Sequence, residues 1–106
     1  MLSRFIETVA GDTLSFRIVL RDGASPVDVS EALFSGGVKE SGSEVDMLDF
    51  EFKVVPNSLG VVRVTLTPEQ TILMTNPDKL YQWYVRIENG DYKKTLGFGA
   101  IKVTKI

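Results

Sequence analysis

The chain of 106 residues carries 12 basic and 14 acidic residues, a net charge of −2 at pH 7, and has neither cysteine nor histidine. Without these two residue types it cannot build a disulfide, a cysteine nucleophile, a Ser-His-Asp triad or a histidine metal site. The near-neutral charge argues against nucleic acid and an anionic membrane surface as main partners, and the length predicts a single domain over residues 1–106.

The N-terminal segment predicts an edge strand. MLSRFIETVAGD has no long apolar core and carries Glu7 early, so we expect no signal peptide. Phe5 and Val9 are the apolar positions from which we predict a first edge strand. No apolar run in the chain approaches the ~20 residues that cross a bilayer, so we expect no membrane partner.

Residues 13–21 show strict alternation of apolar and polar residues, which predicts a strand buried on one face. The apolar positions are Leu14, Phe16, Ile18 and Leu20. Asp22-Gly23 predicts a turn directly after this strand. Ser25-Pro26 adds a second break, because proline has no N–H to donate inside a sheet.

The middle of the chain predicts three further strands. The first contains Phe34 and Val38 and is interrupted by Gly36-Gly37, for which we predict a bulge or a sharp bend. A polar loop over residues 40–46 follows. Two alternating segments come next, with apolar positions at Phe50, Phe52 and Val54 and then at Val62, Val64 and Leu66.

One segment departs from the period of two. Thr67-Pro68-Glu69-Gln70 has the pattern of a capping box, with a capping Thr, a Pro at the first helical position and a Gln three residues after the cap. The residue before a proline disfavours helical angles, so the helix should end before Asn76-Pro77. We therefore predict one short helix near residues 68–75, packed across an end of the sheets.

The C-terminal part predicts a strand hairpin. Its first strand has apolar residues at Tyr81, Trp83, Val85 and Ile87, and Asn89-Gly90 indicates a tight turn. The last strand runs from about residue 91 to residue 105. Strand and turn signals recur at short intervals with a single short helix. The fold class is therefore all-β, an Ig-like β-sandwich of about seven antiparallel strands.

Four acidic residues lie close together in the sequence: Glu44, Asp46, Asp49 and Glu51. Clustered carboxylates can hold a divalent cation or divide acid and base roles between them. However, Asp49 and Glu51 fall on the solvent side of their strand, and Glu44 and Asp46 fall in a Gly/Ser loop. A solvated surface is the favoured interpretation, a calcium site is the alternative, and no cofactor is expected.

The strand around Trp83 offers the best candidates for a partner contact. Trp83 could act as a platform for a sugar or a base, but it shares a face with Val85 and is better explained as core. Tyr84 lies on the opposite face with Gln82 and Arg86. Tyr and Arg concentrate at the centres of interfaces, so these three are the predicted contact residues. The alternative is an ordinary exposed strand.

Two motifs with glycine or lysine have simple structural explanations. Gly97-Phe98-Gly99 lacks the third glycine and the helix of a phosphate loop, so we predict a bulge or a close sheet contact. Lys93-Lys94 is typical of a solvated hairpin edge. No Gly-x-Ser-x-Gly elbow occurs, and together with the missing histidine this predicts that the chain is not an enzyme.

The order of these motifs resembles the small Ig-like modules of tailed-phage and prophage structural proteins, including the N-terminal domain of upper baseplate proteins. The resemblance rests on Gly11-Asp12-Thr13, the Asp22-Gly23 turn, PVDV at 26–29, TLTPE at 65–69, YQWY at 81–84 and LGFGAIKV at 96–103. It implies a virion protein of the tail or baseplate, made in the host bacterial cytoplasm. Its partners would be other virion subunits, and a homo-oligomer such as a ring or trimer is left open.

A second class of function stays open. A carbohydrate-binding or adhesion module would use exposed aromatic residues, assisted by calcium at the acidic cluster. Calcium would then raise the melting temperature, whereas a structural module predicts association through strand edges and loops.

Overall fold

The computed structural model describes residues 2–22, 25–26, 32–56, 60–74, 80–89 and 91–105. Its one described helix, α1 (Pro68–Thr71), lies between the ninth and tenth strands. The strands are β1 (Leu2–Ser3), β2 (Ile6–Val9), β3 (Leu14–Val19), β4 (Arg21–Asp22), β5 (Ser25–Pro26), β6 (Leu33–Glu40), β7 (Leu48–Asp49), β8 (Glu51–Val54), β9 (Val61–Leu66), β10 (Tyr81–Asn89) and β11 (Tyr92–Thr104).

The strands form two main sheets. The larger has the order β1-β11-β10-β6-β7, with β2 also paired to β11, and the smaller has the order β3-β9-β8. β4 and β5 form a separate antiparallel pair. In Ig domains strands B, E and D lie in one sheet and C, F and G in the other. The order of β3, β9 and β8 opposite β6, β10 and β11 follows this plan, which confirms the predicted Ig-like sandwich.

One departure from this plan concerns the N-terminus. β1 and β2 pair with β11 in parallel, whereas the remaining strand pairs are antiparallel among the described residues. The predicted edge strand is therefore present. Val9 lies in β2 as predicted, and the buried side chain of this strand is Ile6. Phe5 lies between β1 and β2 and is 54% exposed, so its inclusion in the strand was wrong.

The core lies between the two sheets. The predicted alternation is confirmed on β9 and β10, where every second side chain is buried. Phe16 of β3 reaches across to Trp83 of β10, with ring centroids 5.2 Å apart, and to Phe50 at 5.8 Å. Each fully buried large side chain stabilises the fold by roughly 1.5–3 kcal/mol. Among the described residues the largest buried side chains are Trp83, Tyr81, Leu66, Met74 and Ile101.

Of the two alternatives predicted at Gly36-Gly37, the bulge is wrong, because β6 pairs with β10 in unbroken register from Leu33 to Glu40, and the sharp bend stays a prediction. These glycines instead allow backbones to approach closely. An added Cβ on Gly37 would collide with the carbonyl oxygen of Leu48 on the neighbouring strand. The bulge lies in β11, where the register shifts opposite Val85 and Arg86 and leaves Leu96 as the extra residue.

The segment around Phe50 is not one continuous strand. β7 belongs to the larger sheet and β8 to the smaller, so the chain changes sheets at Phe50. The Phe50 N–H still donates to the Gly36 carbonyl, at 3.1 Å. The alternation of side chains continues through the switch, which is why the sequence pattern did not reveal it.

α1 begins with the predicted capping box. The Gln70 N–H donates to Thr67 Oγ1 at 3.3 Å, and the Thr67 N–H donates to Gln70 Oε1 at 2.9 Å. The helix ends at Thr71, earlier than predicted, because the next residues form tighter turns in which Leu73 and Met74 donate to carbonyls three residues back. Thr71 Oγ1 donates to the Asp12 carbonyl at 2.7 Å, which ties α1 to the β2–β3 connection. Residue 75, the last of the predicted span, lies outside the described residues.

Candidate functional site

The outward face of the larger sheet gathers the three predicted contact residues. Gln82, Tyr84 and Arg86 alternate with buried residues along β10, so their side chains point away from the core. Gln82 and Arg86 are exposed, and Tyr84 is half-buried. Lys39 lies opposite Gln82, and Phe98 lies opposite Tyr84. We call these five residues the Tyr84 face.

Tyr84 is held from two sides. Its hydroxyl donates to Asp46 Oδ2 at 2.5 Å, and Lys39 Nζ lies 5.1 Å from the ring centroid in a cation–π contact. Gly37 stands opposite Tyr84 on β6 and has no side chain in the way. The ring can therefore reach across β6 to Asp46, in the loop between β6 and β7.

The surroundings of Tyr84 raise its pKa from the ordinary value of 10.0 to about 12. Partial burial is the largest cause, followed by the hydrogen bond to Asp46 and by the negative charges of Asp46 and Asp49; Arg86 acts in the opposite direction. The hydroxyl is neutral at pH 7 even at its ordinary pKa, and the raised pKa extends to higher pH the range in which it stays a hydrogen-bond donor. This keeps the Asp46 contact intact.

Phe98 is a further exposed aromatic residue on this face that was not among the predicted contact residues. It is 44% exposed and lies beside Tyr84, at the wall of a shallow depression of about 330 Å³ that also contains Gln82 and Ala100. In the sequence, its neighbours Gly97 and Gly99 predicted a bulge or a close sheet contact, and neither of these predicts an exposed Phe98 side chain. The Leu96 bulge shifts the register of β11 just before Phe98. Two exposed or half-exposed aromatic rings therefore stand side by side on adjacent strands.

Gly99 lies beneath this face and brings the N-terminal segment close. An added Cβ there would collide with the carbonyl oxygen of Arg4 and lie 2.8 Å from Trp83 Nε1. The Trp83 indole N–H donates to the same Arg4 carbonyl at 3.0 Å. The prediction of a close sheet contact at 97–99 is confirmed, as is the core position of Trp83, which is 1% exposed.

The structure does not bring the four carboxylates of the calcium alternative together into one site. Asp46 binds Tyr84, and Asp49 lies on the larger sheet opposite Gly37. Glu51 lies on the smaller sheet opposite Thr65, because the chain changes sheets at Phe50. Within the described ranges no group of three or more acidic residues is placed to hold a metal ion.

Comparison with solved structures finds an Ig-domain neighbour. The N-terminal Ig1-2 module of the Drosophila receptor protein tyrosine phosphatase DLAR matches with a TM-score of 0.47 and 14% sequence identity. The match covers 95% of this chain and 45% of that one, so the chain spans less than half of that module's length. No protein-family model matches the chain, and neither does any curated protein. In the described part of the chain, no helix has the length and apolar character to span a membrane.

Proposed function

We propose that this chain is a non-catalytic assembly module of a phage or prophage particle, in the tail or baseplate, and that it binds other virion subunits through the Tyr84 face. The order of turn and strand motifs along the sequence supports the virion class. The geometry of Tyr84 supports the docking role and is the observation that carries it.

The Tyr84 face has the composition of an interface centre. Tyr84 and Phe98 provide apolar area, while Gln82 and Arg86 provide hydrogen-bond donors at its rim. Aromatic residues and arginine contribute much of the binding energy at protein interfaces. This arrangement suits a partner surface with an apolar pocket and nearby acceptor groups.

The face is also fixed before a partner arrives. β10 is paired on both sides, by β6 and β11, so its backbone cannot shift easily. The contacts of Tyr84 with Asp46 and Lys39 restrict the ring. Immobilising a free side chain on binding costs roughly 0.5–1.5 kcal/mol, and a restrained ring avoids part of this cost.

The virion role is tested on particles from the bacterium that carries the gene. We expect mass spectrometry of purified particles to find the chain at a fixed ratio to the tail proteins, and cross-links from Lys39 to another subunit. Genes for tail or capsid proteins should flank its gene. Absence from purified particles, with the chain abundant in the same cells, would overturn the virion role.

The docking role is tested with two matched variants. Tyr84→Ala should reduce the number of copies per particle at least tenfold, whereas Lys102→Ala, exposed on the same sheet away from the face, should not. Melting curves establish that both variants fold. Equal incorporation of the two variants would contradict docking through Tyr84, and specific hits on a glycan array that depend on Tyr84 and Phe98 would favour the carbohydrate alternative instead.

A further inference from the structure

The smaller sheet has an uncovered edge at β3. Within the residues that the structure describes, β3 pairs with β9 alone. In the Ig plan the N-terminal strand A lies beside strand B in the sheet of strands E and D, which is the position beside β3. Here β1 and β2 lie along β11 instead. No described strand therefore pairs with the second side of the Leu14–Val19 backbone, which leaves room for a further strand.

A groove of about 500 Å³ runs beside this edge, and we call it the β3 groove. Its floor includes Ile18 and Leu96, which are buried. Among the described residues, four cations line it: Arg4, Arg17, Arg21 and Lys94. They come from the β1–β2 connection, from β3, from β4 and from β11, so the fold brings them together from distant parts of the sequence.

Among the described residues, no ion pair joins any of these four cations to a carboxylate. Arg17 also lies directly opposite Arg63 on β9, and Arg63 lies opposite Lys53 on β8, so three cations form a row across the sheet. Like charges directly opposite on neighbouring strands are destabilising. Four of the chain's 12 basic residues thus line the groove of a protein whose net charge is −2, and two more extend the row from Arg17 across the sheet.

We propose that the β3 groove binds an extended acidic segment of another protein, which adds as a strand along β3 and places carboxylates against Arg17, Arg21 and Arg4. An open strand edge supplies backbone hydrogen bonds, and arginine binds carboxylates through paired donors. This inference rests on the protein-binding part of the proposed function and not on membership of a virion.

The surroundings of the groove favour a peptide over a nucleic acid. Val19 is 53% exposed at the edge of the cationic row, which suits apolar side chains alternating with the carboxylates. No aromatic side chain lines the groove among the described residues, and single-stranded nucleic acids are bound largely by stacking on aromatic rings. The negative net charge also opposes a long phosphate chain at a distance.

The test is a fluorescence-anisotropy titration with a labelled peptide of about ten residues in which Glu alternates with Thr. We expect it to bind, and we expect the same peptide with Gln in place of Glu not to bind. Arg17→Gln and Arg21→Gln should each weaken binding about tenfold or more. Arg86→Gln, which removes an arginine from the opposite face of the molecule, should leave binding unchanged.

Two further peptides and one competitor decide the mode and class of binding. The Glu/Thr peptide methylated on alternate backbone nitrogens keeps its charge, and its loss of binding on one of the two methylation patterns supports strand addition. Equal binding of both methylated forms, no binding of the unmodified peptide, or equal weakening by Arg86→Gln would overturn the proposal. Displacement of the peptide by an equal concentration of single-stranded oligonucleotide would overturn the peptide assignment.

Failure here is distinguishable from failure of the proposed function. If Arg17→Gln fails to bind peptide but Tyr84→Ala binds it normally, the β3 groove is confirmed whatever the particle contains. If the Glu/Thr peptide does not bind while Tyr84→Ala still lowers incorporation into particles, the groove proposal falls and docking through the Tyr84 face stands.

Discussion

The outward faces of the two sheets use their charges differently. On the larger sheet, Lys39 lies over the Tyr84 ring and Asp46 accepts the Tyr84 hydrogen bond. On the smaller sheet, Arg17 and Arg63 lie opposite each other, and no ion pair joins either of them to a carboxylate in the described part of the chain. On the larger sheet, the polar groups hold an aromatic ring in place. On the smaller sheet, the cations can bind an external anion.

This difference shows that net charge is a poor guide to a small domain's binding surfaces. A value of −2 argues against a polyanion as the main partner of the whole molecule. It does not describe the β3 groove, where the local charge has the opposite sign. Arg4 connects the two regions. Its carbonyl accepts a hydrogen bond from Trp83 beneath the Tyr84 face, and its side chain lines the β3 groove.

The largest expected change in the free energy of unfolding is at the contact between Gly99 and Arg4. Gly99→Ala places a Cβ against the Arg4 carbonyl, so we expect about 3 kcal/mol of destabilisation in chemical denaturation. Gly42→Ala is the matched control, because Gly42 has φ of 88° and open space around it. It should cost only about 1–2 kcal/mol. Equal costs would show that the close approach to Arg4 is not what requires a glycine at 99.

Trp83→Phe should cause the second-largest loss of stability. It removes the indole N–H that donates to the Arg4 carbonyl and leaves unfilled space in the core. We expect about 2 kcal/mol of destabilisation. The Arg4 carbonyl then loses this hydrogen bond, although the Arg4 N–H still donates to the Phe98 carbonyl at 3.1 Å, so the Glu/Thr peptide should bind more weakly while Tyr84 keeps its contact with Asp46. Unchanged peptide affinity in a destabilised Trp83→Phe would separate the two faces more completely than we propose.

Tyr84→Phe tests the anchored ring. Loss of the hydrogen bond to Asp46 should cost about 1 kcal/mol at neutral pH. Because the folded-state pKa of Tyr84 is raised from 10.0 to about 12, the protonated hydroxyl favours the folded state below pH 10, and this contribution is lost as the pH rises from 10 through 12. Denaturation midpoints of the parent protein should therefore fall more steeply than those of Tyr84→Phe in this interval.

Asp46→Asn gives the control for that pH dependence. It removes the charge of Asp46 but leaves the partial burial that is the largest cause of the raised pKa. The extra fall in stability above pH 10 should become smaller without disappearing. An identical pH profile in the parent protein, Tyr84→Phe and Asp46→Asn would contradict the environment described for Tyr84.

The smallest effect is expected on the cationic row. Arg63→Thr removes repulsion with Arg17 and Lys53, so it should stabilise the protein by roughly 0.2–1 kcal/mol at low ionic strength. The gain should shrink in 1 M salt, where the Debye length falls to about 3 Å. Lys93→Thr is the control: it removes an exposed ion pair with Glu88 and should destabilise the protein slightly. Destabilisation by Arg63→Thr at low salt would contradict the claim that Arg63 is repelled by Arg17 and Lys53.

The sequence predicted what local patterns determine. Period-two alternation placed Tyr84, Gln82 and Arg86 on an outward face, and the capping box placed the start of α1 at Thr67 and Pro68. Features that depend on pairing between distant strands were missed. The register of β3 with β9 places Arg17 opposite Arg63, and the attachment of β1 and β2 to β11 opens the β3 edge. Neither has a signal within a single strand.

The central claim is that the β3 groove binds an acidic strand while the Tyr84 face does not. Amide chemical-shift mapping during titration of the labelled protein with the Glu/Thr peptide tests it most directly. We predict that the largest shifts fall on Leu14–Val19, Arg4 and Lys94, with the amides of Gln82 and Tyr84 unchanged. Shifts centred on β10 and Phe98, or spread evenly over both sheets, would contradict the claim.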